Sequence, residues 1–182
     1  MRKVAVVACV TMVVLAAGLL WAEPLLKTFL PGSNTISGWV IFKAADRGAY
    51  NLQGLYDLYD GDVPHLQKFG LQAAHQRVYK KGTKRVIVDL MRLDNYQHAK
   101  ALYQERTQGL NELPGCKVLS DVRQQGMLVP TGGVTVVYFW QRNYLCSISV
   151  FGTGNAEKQT ASTFAHWISN RIYTYYNPKK RH

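Results

Sequence analysis

The chain has 182 residues, of which 22 are basic and 11 are acidic, so its formal net charge is +11. Beyond residue 22, about 160 residues remain, enough for one domain with a sizeable core, and they keep a charge of +9 because only Arg2 and Lys3 are lost. Outside the cytoplasmic membrane this charge favours anionic lipid head groups, acidic polymers or an acidic protein, and we expect no nucleic-acid partner.

The first 22 residues predict export. Two basic residues precede an almost unbroken apolar run, Val4–Ala22, whose helical length of ~28 Å is close to the thickness of the bilayer core. One candidate cleavage site would leave an apolar N-terminus on the mature protein. The other would place the bulky Leu20 at position −3, where a small residue is preferred. We therefore predict that residues 1–22 are a retained anchor in the inner membrane with the domain in the periplasm. A cleaved signal peptide and full export are the alternative.

The first half predicts a linker, two short helices and a hairpin. Residues 23–34 are rich in Pro and Gly and predict a linker to a single α+β domain over residues 35–173. Ile36–Phe42 predicts a short strand. Apolar residues at helical spacing from Leu52 to Leu66 predict two helical pieces, with Asp62 as the cap of the second. Two apolar stretches then predict a β-hairpin with a Gly-containing turn, Leu71–Tyr79 and Arg85–Leu93.

The second half is rich in strands. Asp94 and Gln97 resemble a capping box before a helix over Asn95–Thr107. The predicted strands are Cys116–Val122, Met127–Val129, Val134–Trp140 and Tyr144–Phe151. A helix from Asn155 carries a clean apolar stripe, and residues 174–182 form a basic tail. Helices grouped around hairpins predict the α+β class, as an antiparallel β-sheet covered by helices on one face.

Several short segments resemble a bacterial family of exported proteins known only as a domain of unknown function. The family's pattern is an N-terminal Gly-Trp, an "enLyeyinGgA" helix, a "yGF" corner and a "velydm…nAfgiY" strand and helix. The matching residues are Leu30-Pro31, Ile36–Trp39, Tyr50-Asn51-Leu52, Leu55–Gly61, Lys68-Phe69-Gly70, Val86–Met91, Asn95–Tyr103, and Phe139-Trp140 with Tyr144. The resemblance implies that the protein is exported, and it does not imply any activity.

The cysteines predict a disulfide. Cys9 lies in the leader, so Cys116 and Cys146 remain as an even pair in an oxidising compartment. Two separate buried thiols are the alternative.

No motif predicts a metal, a cofactor or catalysis. Asp57, Asp60, Asp62 and His65 are the densest set of potential ligands, but they lack the spacing of a calcium loop, and capping explains them more simply. Gly152-Thr153-Gly154 lacks the third glycine of a phosphate-binding turn. A catalytic thiol would need His75, His98 or His166 beside it. Tyr56, Tyr59, Tyr138 and Trp140 could line a groove, although core packing is the simpler use.

Two clusters of cations are the strongest electrostatic features. They are Lys80, Lys81, Lys84 and Arg85 at the hairpin tip, and Lys179, Lys180 and Arg181 in the tail. We therefore predict a membrane-anchored extracytoplasmic binding or accessory module, not an enzyme, that docks on an anionic lipid surface or an acidic envelope protein. A small envelope enzyme and a carrier of an apolar ligand are the alternatives.

Overall fold

The computed structural model describes residues 26–178, which form an eight-stranded antiparallel sheet with four α-helices. The predicted anchor at residues 1–22 and the tail cations Lys179, Lys180 and Arg181 lie outside the described residues. Over residues 26–178, none of the helices combines the length and the apolar character needed to cross a bilayer.

The strands follow one another mostly as hairpins. In chain order the elements are β1 (Val40–Ile41), β2 (Arg47–Ala49), α1 (Leu52–Tyr59), α2 (Val63–Gln67), β3 (Leu71–Lys81), β4 (Lys84–Leu93), α3 (Tyr96–Thr107), β5 (Lys117–Leu119), β6 (Gln125–Thr131), β7 (Val134–Gln141), β8 (Tyr144–Phe151) and α4 (Asn155–Tyr176). The order across the sheet is β1-β3-β4-β8-β7-β6-β5, and β2 also pairs with β3. The predicted α+β class and antiparallel sheet are confirmed.

The helices cover both faces of the sheet, whereas the sequence analysis expected one. In β7, Val137 and Phe139 join the core that contains Phe164 of α4. Their neighbours Tyr138 and Trp140 join the second core, with α1 to α3. Successive side chains of a strand point to opposite faces. Because both faces of this strand are apolar, each needs its own helical cover.

The predicted helix caps are wrong in detail. The Asp62 side chain makes no capping hydrogen bond and instead accepts one from Arg106 at 2.9 Å. At α3 the cap is Asn95, one residue after the predicted Asp94, and its side-chain oxygen accepts from the His98 amide at 2.9 Å. Both positions carry cap-forming residue types, and the backbone conformation decides which of them is used.

Part of the predicted linker belongs to the folded domain. Leu26 and Phe29 are fully buried against the core of α4, and Phe29 meets the rings of Tyr144 and Tyr175 edge-on. The Pro31 carbonyl accepts hydrogen bonds from Tyr79 at 2.8 Å and from the Arg77 guanidinium at 3.3 Å. The folded unit therefore begins before residue 35.

The predicted disulfide between Cys116 and Cys146 is wrong, because both cysteines are free. Cys146 on β8 lies in the core beneath α4, whereas Cys116, just before β5, packs against the core on the opposite face. Three strand spacings separate β8 from β5, which is about 14 Å. A disulfide requires Cα atoms within about 7 Å.

Candidate functional site

The tip of the β3–β4 hairpin concentrates like charges. In the register of the two strands, Lys80 lies opposite Arg85 and Lys81 lies opposite Lys84. Like charges directly opposite one another destabilise a strand pair. These two pairings therefore disfavour the hairpin, and the rest of the fold offsets their cost.

Three of the four tip cations already have contacts within the chain. The Lys80 ammonium lies 3.2 Å from the centre of the Phe42 ring. Lys81 donates to the Ser37 carbonyl at 3.1 Å. Lys84 pairs with Glu157 of α4 at 3.1 Å, and this hydrogen bond lowers the pKa of Glu157. Arg85 is exposed, and no ion pair holds it within the described residues.

Exposed apolar side chains surround the tip cations. Val40 pairs with Lys80 across β1 and β3 and is 43% exposed. Phe42 is 36% exposed and Phe151, at the end of β8, is 61% exposed. The helices α1 to α3 cover the other half of this sheet face. We call Val40, Phe42, Lys80, Arg85 and Phe151 the hairpin-end surface.

The hairpin tip lies beside the first turn of α4, at the opposite end of this helix from Asn177. Lys84 contacts Glu157 in the first turn of α4, whereas the described chain continues toward the tail from Asn177, after its last turn. The start of the described chain is also at that far end, where the Thr28 carbonyl accepts from Arg171 at 3.3 Å. The helix from Glu157 to Arg171 is about 21 Å long. The hairpin tip is thus remote from both ends of the described chain.

The acidic residues of the first helices are not gathered around one point. Asp57 accepts from Gln53 at 2.9 Å, Asp62 pairs with Arg106, and His65 pairs with Glu105 at 2.8 Å. Over residues 26–178, no group of three or more His, Cys, Asp or Glu side chains is arranged to hold a metal ion.

The four aromatic residues considered for a groove, for which core packing was the simpler expectation, lie in three different settings. Tyr59 and Tyr138 line one cavity together. Trp140 is buried in the core and Tyr56 is exposed on α1. In that cavity Tyr59 donates to the Asp89 carboxylate at 2.5 Å. The sequence analysis did not single out Asp89, although a carboxylate inside an otherwise apolar strand was a signal that could have identified it.

The histidines do not activate a thiol. His75, His98 and His166 hydrogen-bond to Asp46, Asp94 and the Asp121 carbonyl. Burial raises the pKa of the Cys146 thiol well above its usual value, and the nucleophilic form of cysteine is the thiolate. Thiol catalysis therefore has no support in this arrangement.

His75 belongs to a buried polar network on β3. Its Nε2–H donates to Asp46 at 2.7 Å, and Asp46 also accepts two hydrogen bonds from Arg77, at 2.7 and 3.1 Å. Burial raises the pKa of Asp46, but the hydrogen bonds and charges of Arg77 and His75 outweigh it and lower the pKa overall. Burial lowers the pKa of His75. The network thus connects Asp46, just before β2, to His75 and Arg77 of β3, and Arg77 also connects β3 to the Pro31 carbonyl.

A groove of about 840 Å³ lies along the outer side of α4. Its lining combines polar side chains, for example Gln159, His166 and Asn170, with the apolar side chains of Ile36 and Trp167. The exposed surface of the groove is more apolar than polar, so the carrier of an apolar ligand stays an alternative function.

No family model and no curated protein matches the chain. Its fold is similar to that of the extracellular domain of PknH from Mycobacterium tuberculosis, with a TM-score of 0.58 and 14% sequence identity. The alignment covers 84% of this chain and 97% of that domain. At this identity the likeness establishes a shared fold alone, and the resemblance to an exported family stays a prediction.

Proposed function

We propose that this chain is an extracytoplasmic binding module, tethered through residues 1–22, whose hairpin-end surface docks on an acidic protein. The single observation that carries the proposal is the pairing of Lys80 with Arg85 beside the exposed Val40, Phe42 and Phe151. An acidic partner would relieve the repulsion between the two cations while it covered the apolar side chains.

Two observations support the extracytoplasmic setting. The apolar leader has the composition of an export signal or anchor. The fold is shared with an extracellular domain, that of PknH. Over residues 26–178 the arrangement offers no histidine or acid beside an activated thiol, so a binding role fits better than thiol chemistry.

Chain geometry favours a protein over the lipid surface as the partner. Only residues 23–25 separate the predicted anchor from Leu26, and three residues span at most about 10 Å. An anchored domain would therefore hold its Thr28 and Arg171 end near the bilayer, and if α4 stands upright on the membrane the hairpin tip lies about 20 Å further out. Charge attraction to lipid is screened beyond about 8 Å at physiological ionic strength.

The test is photo-crosslinking in the host. The full chain carries p-benzoylphenylalanine in place of Phe151, and cells are irradiated before the membrane fraction is analysed for protein and lipid adducts. We expect one defined adduct with an acidic protein. The double variant Lys80→Glu, Arg85→Glu should abolish it. The matched control, Lys68→Glu with Lys100→Glu, makes the same charge change at exposed positions outside this surface and should leave the adduct intact.

Three outcomes would overturn the proposal. They are the absence of an adduct, an adduct that survives the double charge reversal, and an adduct with lipid. The last outcome would instead favour docking on the anionic lipid surface.

A further inference from the structure

A second feature, independent of the hairpin-end surface, is a polar cavity beneath α1 and α3. It has a volume of about 200 Å³. Its polar lining side chains are Tyr59, Asp62, Asp89, Arg106, Tyr138 and Ser147. They come from α1, β4, α3, β7 and β8 and from the turn before α2, so only the folded chain brings them together.

Three of these side chains stand in one row across the sheet. Asp89 of β4 is paired with Ser147 of β8, and Ser147 is paired with Tyr138 of β7. Residues directly opposite one another in antiparallel strands share a face, with Cβ atoms about 5 Å apart. The next row, Met91 and Leu145, gives the cavity an apolar side.

The hydrogen bonds of the row are incomplete. Tyr59 donates to one oxygen of Asp89 at 2.5 Å. The second Asp89 oxygen and the hydroxyls of Ser147 and Tyr138 make no hydrogen bond within the described residues. Three acceptors therefore line one cavity side by side, and a bound group with three donors would satisfy them.

The charges of the cavity leave one carboxylate without an ion pair. Asp62 is paired with Arg106 at 2.9 Å, and both side chains are more than one third exposed at the rim. Asp89 has a tyrosine hydroxyl and no cation in direct contact. A complementary ligand is consequently a small cation.

We propose that this cavity binds a small molecule with one primary ammonium group. The ammonium donates to Asp89, Ser147 and Tyr138, and a short alkyl chain lies against Met91 and Leu145. The rings of Tyr59 and Tyr138 add the favourable interaction of a cation with an aromatic face.

Binding depends on pH through Asp89. Burial raises the pKa of Asp89 to about 6, against the lowering effects of the Tyr59 hydrogen bond and the Arg106 charge. The other groups that face it are Gln76 on β3, Ser147 on β8, Tyr138 on β7 and Asp62 at the rim. Only the ionised carboxylate attracts an ammonium, so affinity falls as the pH drops below about 6.

The experiment is an NMR titration of the full chain with n-butylammonium chloride, using 1-butanol, the neutral molecule with the same number of heavy atoms, as the matched probe. We expect saturable shifts at Asp89, Ser147 and Tyr138 with the ammonium and none with butanol. Affinity should fall about tenfold or more in Asp89→Asn, which has nearly the same shape. Asp57→Asn removes a carboxylate that accepts from Gln53 on α1 and should bind as the wild type does.

The comparison of the two probes needs no variant, so it remains decisive even if Asp89→Asn fails to fold. Equal shifts with butylammonium and butanol would overturn the proposal, as would the absence of saturation. Unchanged affinity in Asp89→Asn, or affinity that does not fall between pH 7.5 and pH 5, would overturn it as well. The crosslinking at the hairpin end does not depend on any of these outcomes.

Discussion

The Tyr59 hydroxyl at the end of α1 donates to the Asp89 carboxylate of β4 at 2.5 Å. This single hydrogen bond joins the first helix to the central strands of the sheet. It satisfies one of the two carboxylate oxygens, and burial still raises the pKa of Asp89 to about 6. Asp89 therefore lowers the stability of the fold at neutral pH.

We predict that Asp89→Asn stabilises the protein at pH 7.5. Between about pH 4 and pH 6 the folded chain holds a proton on Asp89 that the unfolded chain has lost, so stability falls as the pH rises. About two pKa units correspond to roughly 3 kcal/mol, of which we expect about 1–3 kcal/mol to be recovered. Urea denaturation at pH 7.5 and at pH 4 measures the change in the free energy of unfolding. The gain in stability should vanish near pH 4. A destabilised variant at pH 7.5 would contradict the prediction.

Asp46→Asn should destabilise the protein strongly. The change leaves the buried Arg77 guanidinium without its carboxylate, and breaking a buried ion pair costs about 3–5 kcal/mol. Because the pKa of Asp46 is lowered in the fold, its contribution is present above about pH 4 and is lost as the pH falls below that value. Thermal denaturation of Asp121→Asn, which removes an exposed partner of His166, is the control and should change stability by less than about 1 kcal/mol.

Arg85→Glu should stabilise the hairpin and weaken docking. The substitution turns the repulsion between Lys80 and Arg85 into an attraction, worth about 0.2–1 kcal/mol across an antiparallel pair. The free energy of unfolding should rise while the Phe151 crosslink weakens. Lys100→Glu, on the exposed side of α3, should change neither. Parallel loss of stability and crosslinking would mean that Arg85 acts through the fold.

The cysteines should behave as two separate thiols. Cys146 is fully buried and its thiol pKa is raised, so we expect it to resist alkylation in the native protein. In denaturant without a reductant, intact mass should show that both Cys116 and Cys146 are alkylated. Alkylation that requires prior reduction would contradict the structure and restore the predicted disulfide.

Local patterns along the chain predicted most of the elements. The hairpin over Leu71–Leu93 followed from two apolar stretches around a polar turn with a glycine, and the stripe of α4 followed from its spacing. β2 was missed because Arg47-Gly48-Ala49 has no strand-forming side chains. Its glycine is required because a Cβ there would lie 2.9 Å from Nδ1 of His75, a contact that exists only after folding.

The sequence could not predict which residues of different strands lie next to one another in the sheet. The spacing of Cys116 and Cys146 carries no information on which face of the sheet each one occupies. Asp89, Ser147 and Tyr138 are far apart in sequence and meet only through the register of β4, β8 and β7. The cations of the hairpin tip lie together through the register of β3 and β4, and their place beside the first turn of α4 depends on the direction of that helix.

The orientation of the domain on the bilayer tests the proposed docking most directly. A fluorophore is placed at Lys27→Cys or at Thr83→Cys in a Cys9→Ser, Cys116→Ser background, and the full chain is reconstituted in vesicles that carry acceptor-labelled lipid head groups. We predict strong energy transfer from position 27 and weak transfer from position 83, at the hairpin tip. Equal transfer from both positions, or stronger transfer from position 83, would place the hairpin-end surface on the membrane and contradict docking on a protein.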